Sequence, residues 1–281
     1  MTKYSMTVDV DKCTGCYACF LACRDEFQGN DYLPHSVAQP TSTDSMAGQN
    51  WIRVEETERG TFPKVKVSYT PIMCQQCEDA PCIDAATDGA VYRREDGIVM
   101  IDPEKAAGQK AIADSCPYDL IFWNEEKAVA QKCTFCTHLL DKNEQPRCIE
   151  ACPVAAIQIG DLDDPNSVVA KAAKEGEQLN PEFGINPLVS YAGLPKKFVT
   201  GEVIVKDGDA EECVAGVSVT LKSDDQERAT VTNTFGDFEF DGLTADSNYT
   251  LVISHDGYAP IERTVKTESD VNLGVIELGI G

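Results

Sequence analysis

Two patterns of apolar and polar positions divide this chain. Beyond Phe198, apolar and polar residues alternate at a period of two through 199–206, 214–222, 229–233, 238–240, 249–255, 261–266 and 271–278. Alternation gives each strand one apolar face, and Gly, Asn and Asp turns separate the runs. The segment 198–281 therefore predicts a seven-stranded, Ig-like antiparallel β-sandwich. Before Phe198 the pattern breaks into short pieces. Residues 90–95 and 98–101 read as a hairpin about Asp96-Gly97, a dipeptide suited to a type I′ turn. A helix over 167–175 begins after Asp-Asp-Pro-Asn and stops at Gly176. It lies in a long connection, 161–197, in which Phe183, Ile185, Leu188, Val189 and Tyr191 predict a strap docked on a surface. The fold class is thus α+β, with a first domain at 1–160.

Cysteine is what interrupts that first domain. Twelve of the thirteen cysteines lie between Cys13 and Cys152. Cys13, Cys16, Cys19 and Cys23 form CxxCxxCxxxC, and Cys74, Cys77 and Cys82 form CxxCxxxxC. Cys116 precedes Pro117, and Cys133, Cys136, Cys148 and Cys152 end in CxxxCP. These are spacings of [4Fe-4S] ligands, in which three thiolates of a run hold one cluster and the fourth serves another. That exchange assigns Cys13, Cys16, Cys19 and Cys152 to a first cluster and Cys23, Cys133, Cys136 and Cys148 to a second. Cys74, Cys77, Cys82 and Cys116 make the third. Structural zinc more often uses two separated pairs around one tetrahedron. Disulfides are disfavoured because the first ten residues lack the apolar core of a secretory signal.

A fourth cluster is missing as a unit. Laying CxxCxxCxxxCP over the segment ending at Cys116 puts Ala106, Gln109 and Ile112 at the first three ligand positions, and Ala86 falls where the second run's fourth belongs. Random loss would strand half-sites. Pro117 and Pro153 end their cluster loops by fixing φ and removing a donor. The remaining backbone N–H groups, with burial and charge, are the chain's means of setting reduction potential.

Charge and the remaining residues narrow the function further. A net charge of −23 makes nucleic acid and anionic membranes poor partners. No stretch has the length and apolarity of a membrane span, and a cytoplasmic protein is expected. His138 is read as packed or solvated, His35 and His255 have no motif, and Trp51, Trp123 and Tyr118 read as core aromatics. Cys213 reads as a small apolar filler or free thiol. No constellation supports acid–base chemistry, so no catalytic residue is assigned.

The cysteine groups, the Asp96-Gly97 hairpin, Asp102-Pro-Glu-Lys105, Cys116-Pro-Tyr118 and Lys132-Cys-Thr-Phe-Cys136 together resemble the electron-transfer subunits of the dimethyl sulfoxide reductase family. The resemblance implies a ferredoxin-like fold and a heterodimer with a large catalytic subunit. That partner would carry molybdenum or tungsten in a bis-pterin guanine dinucleotide cofactor, and this chain would have no substrate site. Family subunits usually carry four clusters and lack the sandwich, so the chain departs at Ala86, Ala106, Gln109 and Ile112 and again after Phe198. Residues 234–243 resemble a segment of transthyretin-like and carboxypeptidase regulatory-like sandwiches. Both departures, with the stretches 59–63, 94–99, 102–105, 123–126 and 129–134, point to a polyphenol-transforming branch of that family. The alternatives are an electron-transfer subunit of a related reductase, hydroxylase or catechol dehydroxylase, and a free multicluster ferredoxin.

Overall fold

The computed structural model describes residues 2–27, 50–208, 210–224 and 226–279. His35 lies outside them. The chain divides into two compact units, Met1–Glu56 with Ser68–Leu194, and Thr57–Val67 with Pro195–Gly281.

The cysteine-rich unit opens with strand β1 (Tyr4–Asp9) and helix α1 (Ala18–Phe27). The hairpin β2 (Ile52–Thr61) and β3 (Lys64–Met73) runs out of this unit and back into it. Short elements follow: α2 (Pro81–Asp84), β4 (Val91–Arg93), β5 (Val99–Ile101), α3 (Ala111–Asp114), β6 (Ile121–Asn124), β7 (Val129–Lys132), α4 (Thr137–Leu140) and α5 (Arg147–Glu150). The unit ends with β8 (Ile157–Asp161), α6 (Val168–Glu175) and β9 (Val189–Ala192).

Met6 and Val8 are fully buried because β1 is the central strand of a three-stranded sheet. It runs antiparallel to β8 and parallel to β9, with Val8 opposite both Ile157 and Tyr191. The strap thus contributes a strand as well as an apolar side. Its helix α6 is capped as the sequence suggests, with Ser167 Oγ accepting from the Ala170 amide at 3.1 Å and Gly176 at the C-terminus. Leu188, Val189 and Tyr191 are buried, and Phe183 packs edge-on against Tyr118 at 5.1 Å.

The β4–β5 turn differs from the expected type I′. Only Gly97 has positive φ (+86°), and the Gly97 amide donates to the Arg94 carbonyl at 3.0 Å. Asp96 accepts from the Ile98 amide at 3.2 Å through its own carboxylate. This is the three-residue loop in which a left-handed glycine follows an ordinary turn.

The second unit has eight described strands rather than seven: β10 (Lys197–Asp207), β11 (Ala210–Cys213), β12 (Ser218–Lys222), β13 (Glu227–Val231), β14 (Asp237–Leu243), β15 (Asn248–Ser254), β16 (Ile261–Lys266) and β17 (Val271–Glu277). One sheet is ordered β13-β12-β15-β16. In the other, β10 pairs with β14 and β11 on one edge and with β17 on the opposite edge. The β10–β17 pair is parallel, so the unit is not wholly antiparallel. Strand β11 is exposed throughout and has no alternation to read. Apolar faces of both sheets, including Val199, Phe238, Phe240, Leu221, Leu251 and Ile253, form one core.

Residues 57–67 belong to this unit through charge and ring contacts. Lys66 Nζ lies 2.6 Å from both Glu239 and Asp241 and 5.1 Å from the Phe198 ring centroid. Lys64 pairs with Asp237 at 2.9 Å. Gly60 (φ +84°) leaves room for the Phe198 ring, which a Cβ would meet at 2.6 Å. Lys66→Ala is expected to lower the sandwich's unfolding free energy by about 1 kcal/mol, the scale of a small ion-pair network with a cation–π contact. Thermal unfolding checks this, and an unchanged transition would leave Lys66 without an energetic role.

Candidate iron–sulfur sites

Sheet register brings the first thiol set together. Because β1 and β8 run antiparallel, the loop after β1 meets the loop before β8, and the Asp9 amide donates to the Ala156 carbonyl at 2.8 Å. Cys13 and Cys152 lie on those two loops. Cys19, on the first turns of α1, is pushed up to about 12 by burial, with repulsion from Cys13, Cys152 and Cys16 adding to it. Cys16 is the one exposed member.

Cys23, one helical turn beyond Cys19, belongs to different company. Burial raises its pKa well above the usual thiol range, and the proximity of Cys133, Cys148 and Cys136 adds to it. Cys148 sits on α5, which packs against α1. The third set lines one cavity: Cys74, Cys77, Cys82 and Cys116, with Tyr118, Val99, Gln76 and Lys132 in its wall. Burial pushes Cys77 up to about 12, and Cys74, Cys116 and Cys82 add to it.

The sets form a file. Cys148 of the second set feels Cys19 of the first, and Cys133 of the second feels Cys74 of the third. The second set is therefore intermediate.

One local conformation recurs in the first CxxC loop of each run. Gly15, Gln76 and Phe135, the residues just before the second cysteine, all have positive φ, at +65°, +50° and +54°. Asp119 and Ala155, each three residues after the cysteine of a CP pair, share it at +53° and +51°. Left-handed residues between ordinary ones turn successive N–H groups toward a common centre, which suits an anion. Here the amides of Gly15, Phe20, Trp51 and Arg147 reach Cys13, Cys19, Cys23 and Cys136 respectively. The amides of Phe135 and Ala156 donate to Cys133 Sγ at 3.4 Å and Cys152 Sγ at 3.3 Å.

These residues fit iron–sulfur clusters in donor type and polarity. Among the described residues, no three His, Cys, Asp or Glu side chains converge on a single-ion position. The third set instead lines a cavity with all four of its thiols. The Thr134 hydroxyl and the Trp51 indole N–H are buried donors with no protein partner. Both belong to the second set's surroundings, where cluster sulfur can accept from them.

Glycine is needed at position 15. A Cβ there would lie 2.5 Å from the Tyr69 ring, on a backbone already at φ +65°. Gly15→Ala is expected to distort the first loop and cost the first cluster selectively, leaving about eight irons per chain. Iron analysis with electron paramagnetic resonance (EPR) checks this, and full occupancy would show that the loop yields.

The four residues at the missing cluster also come together. Ala106 and Ile112 are fully buried in one apolar cluster, with Ala86 packed against it. Gln109 bridges the two loops, accepting from the Thr87 amide at 2.9 Å and donating to the Lys105 carbonyl at 2.8 Å. Gly108 keeps the left-handed turn, φ +78°, at the position homologous with Gly15. The loop's backbone persists while apolar packing and an amide clamp replace thiols.

Other sequence candidates take quieter places. His138 Nε2 lies 2.8 Å from Glu26, which also pairs with Arg147 at 2.9 Å and is held below the usual carboxylate range despite its burial. Trp51 and Tyr118 are buried, Trp123 packs against the third set's core, and His255 stacks on Tyr258. Cys213 is exposed, so it is no apolar filler, and its Sγ lies 3.5 Å from Glu202. Sequence reasoning missed Lys132, Gln76 and Arg93. Arg93 ties the third loop by donating to the carbonyls of Cys77 at 2.6 Å and Glu78 at 2.8 Å. Their only signal is adjacency: Gln76 lies inside a CxxC, and Lys132 ends a wholly buried strand beside Cys133.

Comparison with known proteins supports iron–sulfur clusters in this chain. Residues 65–162 match the 4Fe-4S dicluster domain family, and 199–278 match the carboxypeptidase regulatory-like domain family. The chain is 42% identical to the pyrogallol hydroxytransferase small subunit of Pelobacter acidigallici, over 99% of this chain and 100% of that one. It is 31% identical to the arsenate respiratory reductase iron-sulfur subunit of a Shewanella species, over 67% of this chain and 95% of the other. A tetrathionate reductase subunit of Salmonella typhimurium is 33% identical, over 70% of this chain and 75% of the other. Among the described residues, no helix is long and apolar enough to cross a membrane.

Proposed function

The chain belongs to the family of iron–sulfur electron-transfer subunits of molybdenum oxidoreductases that includes the pyrogallol hydroxytransferase small subunit, and from that membership we propose that it is the small subunit of a pyrogallol–phloroglucinol transhydroxylase. The observation that carries this reading is the extent of the match: 99% of the chain for the hydroxytransferase subunit against 67% and 70% for the two reductase subunits. The longer match takes in the sandwich.

In this reading the chain works in the cytoplasm as half of a heterodimer. Its large partner holds the molybdenum, or tungsten, bis-pterin guanine dinucleotide cofactor and the polyphenol site, and the sandwich serves docking. The chain itself holds three [4Fe-4S] clusters: Cys13, Cys16, Cys19 and Cys152; Cys23, Cys133, Cys136 and Cys148; and Cys74, Cys77, Cys82 and Cys116. Each set is four thiols, the ligand type and number such a cluster takes. A cluster stores one electron at a time, and the file gives that electron a continuous route.

Transhydroxylation moves a hydroxyl group between phenolic rings with no net redox change, whereas a reductase or dehydroxylase passes electrons at every turnover. The unbroken file of sets favours keeping this second reading. Anaerobic incubation of the purified complex with pyrogallol and a tetrahydroxylated benzene cosubstrate separates the two. Phloroglucinol should form with no external redox partner. A steady requirement for an electron donor or acceptor would replace the transhydroxylase with an electron-consuming relative.

A further inference from the structure

Lys132 ends β7 immediately before Cys133 and is 3% exposed. An unpaired ammonium is costly to bury. Its Nζ donates to the carbonyls of Val99 at 2.5 Å and Cys133 at 3.1 Å and to Gln76 Oε1 at 3.5 Å. Three acceptors exhaust the three N–H groups of an ammonium, and all three are neutral. Among the described residues, no carboxylate stands within ion-pair distance of it.

The groups around Lys132 that cluster binding would make anionic are thiols, and Lys132 lines the cavity shared by Cys74, Cys77, Cys82 and Cys116. Its charge acts on Cys82 and Cys116 of the third set and on Cys133 of the second. It is not among the charges acting on Cys13 or Cys19 of the first. Gln76 fixes this junction, its Nε2 donating to the Cys133 carbonyl at 3.1 Å and its Oε1 accepting from the Val99 amide at 2.8 Å. The lysine is thus held where the second and third sets meet, with the clusters as its available counter-charge.

We propose that Lys132 is the shared counter-ion of the second and third clusters and holds the reduction potentials of both above the values they would have without its charge. Reduction adds one negative charge to an already anionic cluster, and a fixed cation in a poorly screened interior favours that state. The third cluster, with two ligands in reach, gains more than the second, and the first gains nothing. Electrons are thereby drawn from the first site toward the junction.

The inference rests on the cluster assignment proposed above, and the test separates the two. Lys132→Met and Lys132→Arg are compared with the wild type as the full chain in complex with its partner, by iron analysis and EPR-monitored redox titration. A wild type with well under about twelve irons would sink the assignment itself. With iron intact, Lys132→Met should shift the reduction equilibrium of the third cluster at least tenfold toward oxidation, which is 59 mV for one electron. The second should shift less and the first not at all, and Lys132→Arg should keep all three near wild type. Unchanged potentials in Lys132→Met, an equal shift of all three, or an equal shift in Lys132→Arg would overturn the proposal. If Lys132→Met fails to retain iron, Lys132→Arg decides: full iron with native potentials upholds the charge, and the same loss refutes it.

Discussion

Replacing Cys23 and Cys133 together with alanine is expected to remove one cluster, about four irons, whereas replacing Cys13 and Cys23 together should remove two. The two double variants exchange outcomes if ligands are assigned by run. Were Cys13, Cys16, Cys19 and Cys23 to share one cluster, the second pair would cost about four irons and the first about eight. Helix α1 underlies the expectation. It carries Cys19 toward Cys13 and Cys152, while Cys23, one turn later, meets Cys133, Cys136 and Cys148. A cubane left with three thiolates loses its closed coordination, so each variant reports on whole clusters. Iron and acid-labile sulfide per chain provide the count, and the reversed pattern would discard the exchanged assignment for the first two sets.

The thiol sets were legible in the sequence because ligand spacing is local geometry: a CxxC loop presents its thiols to one centre wherever it stands. The positive φ angles at Gln76 and Phe135 were not legible, since neither residue type favours that conformation. The missing fourth site could be read as an absence at Ala86, Ala106, Gln109 and Ile112, but the Gln109 clamp could not. It depends on two loops that meet only in the fold. The same limit hid the membership of 57–67 in the sandwich unit, which rests on Lys64 and Lys66 reaching carboxylates far along the chain. Strand β11 escaped because a ladder bond to β10 needs no apolar alternation. Lys132 escaped for a different reason. A lysine at a strand end reads as solvated, and only the structure places it among carbonyls and thiols.

Stripping the iron is expected to unfold the cysteine-rich unit while the sandwich keeps its own transition. Cys19, Cys23, Cys136 and Cys148 are members of the core built around Met6, Val8, Trp51 and Phe135. Cys82, with Cys77 and Cys116 beside it, belongs to the core that contains Ile101 and Ile112. The clusters would therefore stand inside these cores, and their loss leaves voids. At roughly 24 cal/mol per Å3 of void, each 100 Å3 costs about 2.4 kcal/mol. Several such voids rival the whole stability of an ordinary domain, about 5–15 kcal/mol. Re-forming thiolates cannot compensate at Cys19, Cys77 and Cys133, which burial pushes up to about 12 and keeps protonated at neutral pH. The sandwich core around Val199, Phe240, Leu251 and Ile276 includes no cysteine, and both of its sheets contribute to it. Chelation under reducing conditions, followed by near-ultraviolet circular dichroism and limited proteolysis, should leave two resistant pieces, one beginning near Pro195 and one around residues 57–67, with cleavage spread through the cysteine-rich unit. Full resistance of that unit after complete iron loss would mean that its cores close without clusters, and that the metal is carried by this fold without supporting it.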